Sequence, residues 1–279
     1  MKLCYQVATP DVTITENVTA YQGPLESSFA DLAQMGYDGV ELMTMDPGKL
    51  DWDSVHKLAE KNGLAIVLVC TGEILGQMNL SFADPRKDVR QKAVEQVNGI
   101  IDFASALGAN INIGRVRGQY YKDVPVAQTE TWAVDAFKYI SDHAGKKNVW
   151  IALETITIMQ TNFINTLMQA REMIKRVERP NFGLMMDVFH LNLEERDILQ
   201  AIHEYSAYNL HVHLADNNRR YPGQCGLDFE KILRAFRDEG YDGAFSTEIY
   251  QIPDQRSAAE GAIAHLAPIL QKVYKRPIR

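Results

Sequence analysis

Eight times along this chain a short run of apolar or β-branched residues gives way to an amphipathic helical stretch, and that alternation is its strongest constraint. The pattern predicts strands at 3–8, 38–43, 64–71, 109–114, 149–154, 182–187, 209–214 and 243–248. It predicts helices at 25–36, 52–62, 86–107, 126–146, 164–177, 194–204, 228–239 and 257–273. Asp84-Pro85 reads as the opening of the third helix and Asp228 as the cap of the seventh. Met35-Gly36-Tyr37-Asp38-Gly39-Val40-Glu41 nearly recurs as Glu239-Gly240-Tyr241-Asp242-Gly243-Ala244-Phe245, each a helix end, a glycine C-cap and entry into a buried strand. Strands joined through helices pair in parallel, so eight such units in series point to an α/β fold of the (β/α)8, or TIM-barrel, class. An open doubly wound sheet lacks support, because no Gly-rich phosphate fingerprint follows the first strand. No linker, charge block or low-complexity tract divides the chain, and residues 1–279 are expected to form a single domain.

In such a barrel, polar residues at the C-terminal strand ends converge on one mouth, where the chemistry sits. Glu154, Asp187, His213 and Glu248 occupy those positions on four consecutive strands, spaced by 33, 26 and 35 residues. A strand-end acid taken singly is often an ion-pair partner, and a strand histidine is often a packed core residue. Four of them at matching depth on successive strands argue for a shared site. Three carboxylates and one imidazole suit a single hard divalent cation. His211 lies two residues before His213, so it points to the same side of the strand and is expected inside the barrel. Glu41 and Glu73, near the ends of the second and third strands, are weaker candidates for the same pocket. Arg115 and Arg117 follow the fourth strand, and two guanidinium groups at the mouth would suit a carboxylate or phosphate on the substrate. Trp132, Phe137 and Tyr139 read as helix packing.

Composition narrows the partners. Hydrophobic residues make up 46% and charged residues 23% of 279, ordinary for a globular chain with a large core. A formal charge of −7 argues against extended nucleic-acid binding, which needs a basic surface. Cys4, Cys70 and Cys225 are scattered and form no disulfide framework, which suits a reducing compartment, and Cys225 is expected as an exposed thiol. No apolar run is long enough to span a bilayer, and the first residues show no signal-peptide core. A cytoplasmic enzyme acting on a small molecule is the expectation, with a homo-oligomer left open.

Longer motifs carry a resemblance. Leu153-Glu154, Asp187-Val188-Phe189-His190-Leu191-Asn192, His211-Val212-His213-Leu214-Ala215-Asp216-Asn217-Asn218-Arg219 and Thr247-Glu248 resemble those of the xylose isomerase-like barrels. Within them, the chain is most similar to the sugar (phosphate) isomerase/epimerase branch, which holds D-tagatose 3-epimerase-like and hydroxypyruvate isomerase-like enzymes. The resemblance implies one divalent ion per chain on Glu154, Asp187, His213 and Glu248, Mn2+ first, with Co2+, Mg2+ or Zn2+ as alternatives. It also implies that His190 and Arg219 contact substrate hydroxyls. One stretch departs. The family's Glu-x-x-Asn-Arg-x-Glu run reads here Glu154-Thr155-Ile156-Thr157-Ile158-Met159-Gln160, so Ile158 and Gln160 stand where Arg and Glu are usual. Gln160 at that position implies altered recognition of the substrate's terminal oxygens.

The leading expectation is a metal-dependent isomerase, a C3 epimerase of a keto sugar or a phosphorylated or acidic derivative. One carboxylate removes the proton next to the carbonyl to give an enediolate and a second returns it on the other face, with Glu154 and Glu248 as the bases. An aldose–ketose isomerisation would share that intermediate. A dehydratase acting on a keto polyol or cyclic keto acid is the alternative, with His190 as its acid. A DNA-repair endonuclease would need further histidines after strands three and four, where Cys70-Thr71-Gly72 and Gly114-Arg115 stand. A barrel that only binds sugar would not need two opposed bases.

Overall fold

Strands covered on both faces need no polar–apolar alternation, and the eight apolar runs of this chain are built that way. In the computed structural model, which describes residues 1–275, they form β1 (Lys2–Ala8), β2 (Gly39–Met43), β3 (Ala65–Cys70), β4 (Asn110–Ile113), β5 (Ile151–Glu154), β6 (Phe182–Asp187), β7 (Asn209–Leu214) and β8 (Ala244–Thr247). All pair in parallel and in sequence order, and β8 returns to β1, so the barrel is closed. Around it run α1 (Leu25–Met35), α2 (Trp52–Lys61), α3 (Gly72–Met78), α4 (Lys87–Ala106), α5 (Val126–Gly145), α6 (Leu167–Val177), α7 (Val188–Glu194), α8 (Ile198–Tyr205), α9 (Phe229–Asp238) and α10 (Gln255–Tyr274). The main core lies between strands and helices and includes Phe29, Phe103, Phe137, Leu167, Phe236 and Leu266. No helix among the described residues is long and apolar enough to cross a membrane.

Inside the barrel the filling is divided. Leu68, Cys70, Ala152 and Met185 make a small apolar cluster. Gln6, Glu41, His211 and His213 share the interior with it and are fully or nearly fully buried. Such a polar interior persists only where its members bond to one another, and these do. The strand register then sets the mouth: Asp187 pairs with His213 across β6 and β7, and Leu214 pairs with Thr247 across β7 and β8. Glu248 follows directly, one residue beyond β8.

The helices depart from the sequence pattern at four places, each for a local reason. The helix expected at 194–204 is α8, which starts at Ile198 behind the Asp197 cap, and a short unexpected helix, α7, precedes it behind the Asp187 cap. The helix expected from 164 begins at Leu167. Ile164 holds a left-handed φ of 60°, and Thr166 with Gln169 forms a reciprocal capping box. The long segment after β3 contains α3. Asp84-Pro85 lies outside the third predicted helix, since Asp84 accepts from Arg86 N and α4 starts at Lys87. Asp228 caps α9 as expected. Tyr139 does not pack between helices; it is 61% exposed.

Close approach explains one strand glycine. A Cβ on Gly183 of β6 would lie 2.7 Å from the Tyr208 carbonyl oxygen and 2.8 Å from the Leu210 side chain on the β7 side. The expected outcome for Gly183→Ala is therefore a loss of about 1–3 kcal/mol in urea unfolding, from forced separation of the two strands. A variant as stable as the parent would show that this edge can part without penalty.

Candidate active site

Each of the four strand-end candidates is held by a neighbour that fixes its carboxylate or ring. Glu154 accepts at Oε2 from Asn112 Nδ2 of β4 (3.1 Å). Asp187 Oδ1 accepts from the Phe189 N–H as the cap of α7 (2.8 Å), which leaves Oδ2 facing the mouth. Glu248 accepts at Oε1 from the Thr19 hydroxyl (3.0 Å). His213 places Nε2 2.8 and 2.9 Å from the two oxygens of Glu41, so Nε2–H donates to that carboxylate. That leaves Nδ1 facing the mouth, 2.9, 3.7 and 3.9 Å from Glu248, Asp187 and Glu154, where its proton is shared with Glu248 and a cation could take the lone pair in its place. Glu154, Asp187, His213 and Glu248 thus each offer one ligand atom, all within 4.8 Å of one another.

Three carboxylates in so small a buried volume repel. Burial, with the Glu248 charge beside it, pushes Glu154 up to about 8. Burial also opposes ionisation of Glu248, but Arg219 and His213 outweigh it and hold that carboxyl down at about 2. Asp187 stays well below the usual carboxylate range, with Arg219, His190 and His213 overcoming its burial. The protein's own cations are too few to ionise all three acids. That surplus of negative charge, together with three hard oxygens and one imidazole nitrogen, fits one divalent cation.

His190 and Arg219 join this group. α7 begins at the strand end, so its first turn brings His190 back over the site, with Nε2 4.0 Å from Glu154 and 3.8 Å from Asp187. Thr157 N donates to Nδ1 (3.3 Å), which leaves the proton on Nε2, and burial pushes this ring down to about 4. His190 is therefore a neutral donor at the mouth. Arg219 bonds Asp187 at 2.7 Å and pairs with Glu248, while its guanidinium lies 4.8 Å from the Phe189 ring centroid. Its backbone is left-handed, φ 59°, held by Arg219 N on Asp216 O and Tyr250 N on Arg219 O. Asp216 is fully buried and accepts backbone N–H groups from Gly223 and Cys225, which fixes the whole β7–α9 loop.

The outer candidates separate. Gln160, Arg115 and Glu73 line the same cavity, about 380 Å³, as Glu154, His190, Arg219 and Glu248. Arg117 does not. It is fully buried, and its guanidinium donates to the carbonyls of Phe163, Gly114 and Ile164, each at 2.9 Å, so it pins the β4 and β5 loops and the expectation of a substrate contact fails. Arg115 turns to Glu73 instead (2.6 Å). Glu41 lies beneath the mouth, not at it, and joins His211 (2.8 Å) to His213. His211 is interior, as its position on the strand implies, and Cys225 is exposed. Sequence reading missed Asn112 and Thr19. Asn112 had a signal, a polar residue alternating with isoleucine in a buried strand, and Thr19 had none.

The raised Glu154 gives a pH expectation for the chelator-treated protein. The folded state keeps a proton that the unfolded chain, with an ordinary glutamate, has already released. Stability is thus present below about 4.5 and is lost as pH rises through about 8. His213, held above its ordinary value by Glu41 and Glu248 against its burial, acts with the same sign. Urea midpoints should fall from pH 7 to 9, and Glu154→Gln should flatten that fall. A midpoint rising with pH in the parent would contradict the crowding of charge described above.

Comparison with known proteins follows the same lines. Residues 29–269 match the family model described as a xylose isomerase-like TIM barrel. Among curated relatives, a ketose 3-epimerase of Arthrobacter globiformis is 28% identical over 212 residues, covering 75% of this chain and 72% of its own. An inosose isomerase of Halalkalibacterium halodurans is 28% identical over 278 residues, covering 94% and 93%. Among solved structures, the apo 3-keto-D-glucoside 4-epimerase of E. coli superposes with a TM-score of 0.81 at 23% identity, over 96% of this chain and 99% of that one. With a family model spanning most of its length and the matching closed barrel, the chain belongs to the xylose isomerase-like TIM barrels.

Proposed function

We propose that this chain is a divalent-metal-dependent epimerase of keto sugars that inverts the carbon next to the ketone, C3 of a 2-ketose first. The observation that carries the reading is the pair Glu154 and Glu248. They stand on β5 and just beyond β8, three strands apart around the ring, yet meet in one buried group with Asp187 and His213. The relatives' names support it. A ketose 3-epimerase and a 3-keto-glucoside 4-epimerase both act at the carbon adjacent to the ketone, where the hydrogen is acidic.

Glu154, Asp187, His213 and Glu248 would hold the ion. Once bound, it would polarise the substrate carbonyl and balance the negative charge that develops on its oxygen. The chain's own groups do the rest. One glutamate takes the proton from the carbon, the electron pair moves into the enediolate, and the other glutamate delivers a proton to the opposite face. Asn112 and Thr19 keep one oxygen of each glutamate occupied, so the second oxygen of each is the one turned to the cluster. His190, neutral with its proton on Nε2, and Arg219 donate hydrogen bonds to substrate oxygens. Gln160 offers an uncharged amide at the cavity edge. A dehydratase would need an acid for its leaving hydroxyl. His190 is held in its neutral form, so the geometry favours epimerisation.

Purified protein should carry about one divalent ion per chain, and Asp187→Ala and His213→Ala should each lose it. Full occupancy in both variants would remove the basis of the proposal. Glu154→Gln and Glu248→Gln keep an oxygen and nearly the same volume but no base. Each should lower epimerisation at least about a hundredfold, while one of them still washes deuterium from D2O into one epimer and the other into its mirror partner at that carbon. Full turnover in both variants would show that neither is a base.

A further inference from the structure

Seen around the ring, the proposed chemistry lies on one half of the mouth, β5 to β8, and a second polar pair lies across it on β3 and β4. Glu73 stands in the first turn of α3 and Arg115 directly after β4. Arg115 Nη2 lies 2.6 Å from Glu73 Oε1, and Gln77 Nε2 donates to Glu73 Oε2 at 2.7 Å. Both members of the pair line the cavity that contains Glu154, His190, Arg219 and Glu248. Glu73 is nearly buried, with its side chain 11% exposed, against 37% for Arg115.

The pair is seated in a cradle that a side chain would fill. A Cβ on Gly76 would lie 3.0 Å from Arg115 Nη2 and 3.1 Å from Glu73 Oε2, and one on Gly72 would lie 3.8 Å from Arg115 Nε. Two glycines on one face of α3 thus let the guanidinium rest against the helix and meet its carboxylate. Arg115 has five N–H donors, and among the described residues one bond, to Glu73, is formed. The remaining donors and the carboxylate's spare lone pairs lie together at the cavity wall.

We propose that Glu73 and Arg115 form the subsite for the far end of the substrate, which selects neighbouring uncharged hydroxyl groups and disfavours a phosphate or carboxylate there. The inference rests on the keto-sugar reading and deepens it. A carboxylate beside a guanidinium accepts one hydroxyl and donates to the next, which matches a vicinal diol. An anion that bonded the remaining Arg115 donors would sit beside the nearly buried Glu73 carboxylate, in a cavity that already holds Glu154 and Glu248. Arg117, the other cation after β4, gives no help, since its donors are committed to backbone carbonyls.

The test uses the metal-loaded full chain and deuterium incorporation from D2O into three probes: free hexuloses, their 6-phosphates, and erythrulose, which keeps the reacting carbon but lacks C5 and C6. The parent should favour free hexuloses over the 6-phosphates. Glu73→Gln and Arg115→Met should lower kcat/KM on free hexuloses by about tenfold to a hundredfold, the range for a lost hydrogen bond to a charged group, with a loss on erythrulose at least about tenfold smaller. Glu73→Gln should also narrow the discrimination against the 6-phosphates by about tenfold, because Arg115 is released. Gly76→Ala displaces the pair without removing a charge and should reproduce the hexulose loss. Exchange into erythrulose reports that each variant is folded and active. Equal losses on hexuloses and erythrulose, or a parent that prefers the 6-phosphates, would overturn this subsite alone. Absence of exchange into every probe by the parent would instead overturn the keto-sugar reading, and the subsite with it.

Discussion

The mutual repulsion of three crowded carboxylates, two buried and Glu248 partly so, organises everything around the mouth of this barrel. Glu154, Asp187 and Glu248 approach one another closely enough to share one ligand position, in a place that water reaches poorly. Left to themselves they would spread or take up protons. What prevents spreading is a set of neutral or cationic neighbours, each supplied by a different strand or loop: Asn112, Thr19, the α7 backbone, His213 and Arg219. Glu154 takes the remaining strain by holding its proton. A cluster of this kind fits a cation, which would take up the charge that Glu154 otherwise cancels with a proton.

The same constraint reaches down through the barrel and out along its loops. His213 can present Nδ1 upward only because Glu41 takes Nε2–H from below, and Glu41 is in turn bonded by His211, Gln6 and Cys70. The polar filling of the barrel is thus a scaffold for one ring orientation. Outward, Arg219 adopts a left-handed backbone that a non-glycine residue avoids at a penalty of about 1–3 kcal/mol. Asp216 offsets this by gathering the backbone N–H groups of the loop that follows. Orientation from below and clamping from above converge on the same two carboxylates, Asp187 and Glu248.

The fold and the meeting of Glu154, Asp187, His213 and Glu248 were legible in the sequence because both follow from simple periods. Strand–helix alternation gives the barrel, and a parallel barrel turns the phrase "polar residue at a strand end" into a position in space. Properties that depend on where a side chain's own donors go were not legible. Glu41 was expected near the mouth, but β2 runs on two residues to Met43, so the carboxylate stays inside the barrel beneath His213. The short helices α3 and α7 were hidden in loops because seven residues are too few for a periodic signal, although Asp187 before Val188 was a cap in plain view.

Arg115 and Arg117 make the limit clearest. Two residues apart in Gly114-Arg115-Val116-Arg117-Gly118, they are indistinguishable by charge, neighbours or distance from the strand end. The chain enters a single 3-10 turn there, and a turn with three residues per revolution sends positions two apart to different sides. One guanidinium therefore enters the wall and satisfies three carbonyls of neighbouring loops. The other reaches the cavity, where the absent side chains of Gly72 and Gly76 leave it room beside Glu73. Of the positive charge that the sequence seemed to aim at an anion, half is spent on architecture and half is already matched by a carboxylate. The cavity's remaining cation, Arg219, is also paired twice, and the proposed keto-sugar substrate would meet that pairing with hydroxyl and carbonyl oxygens.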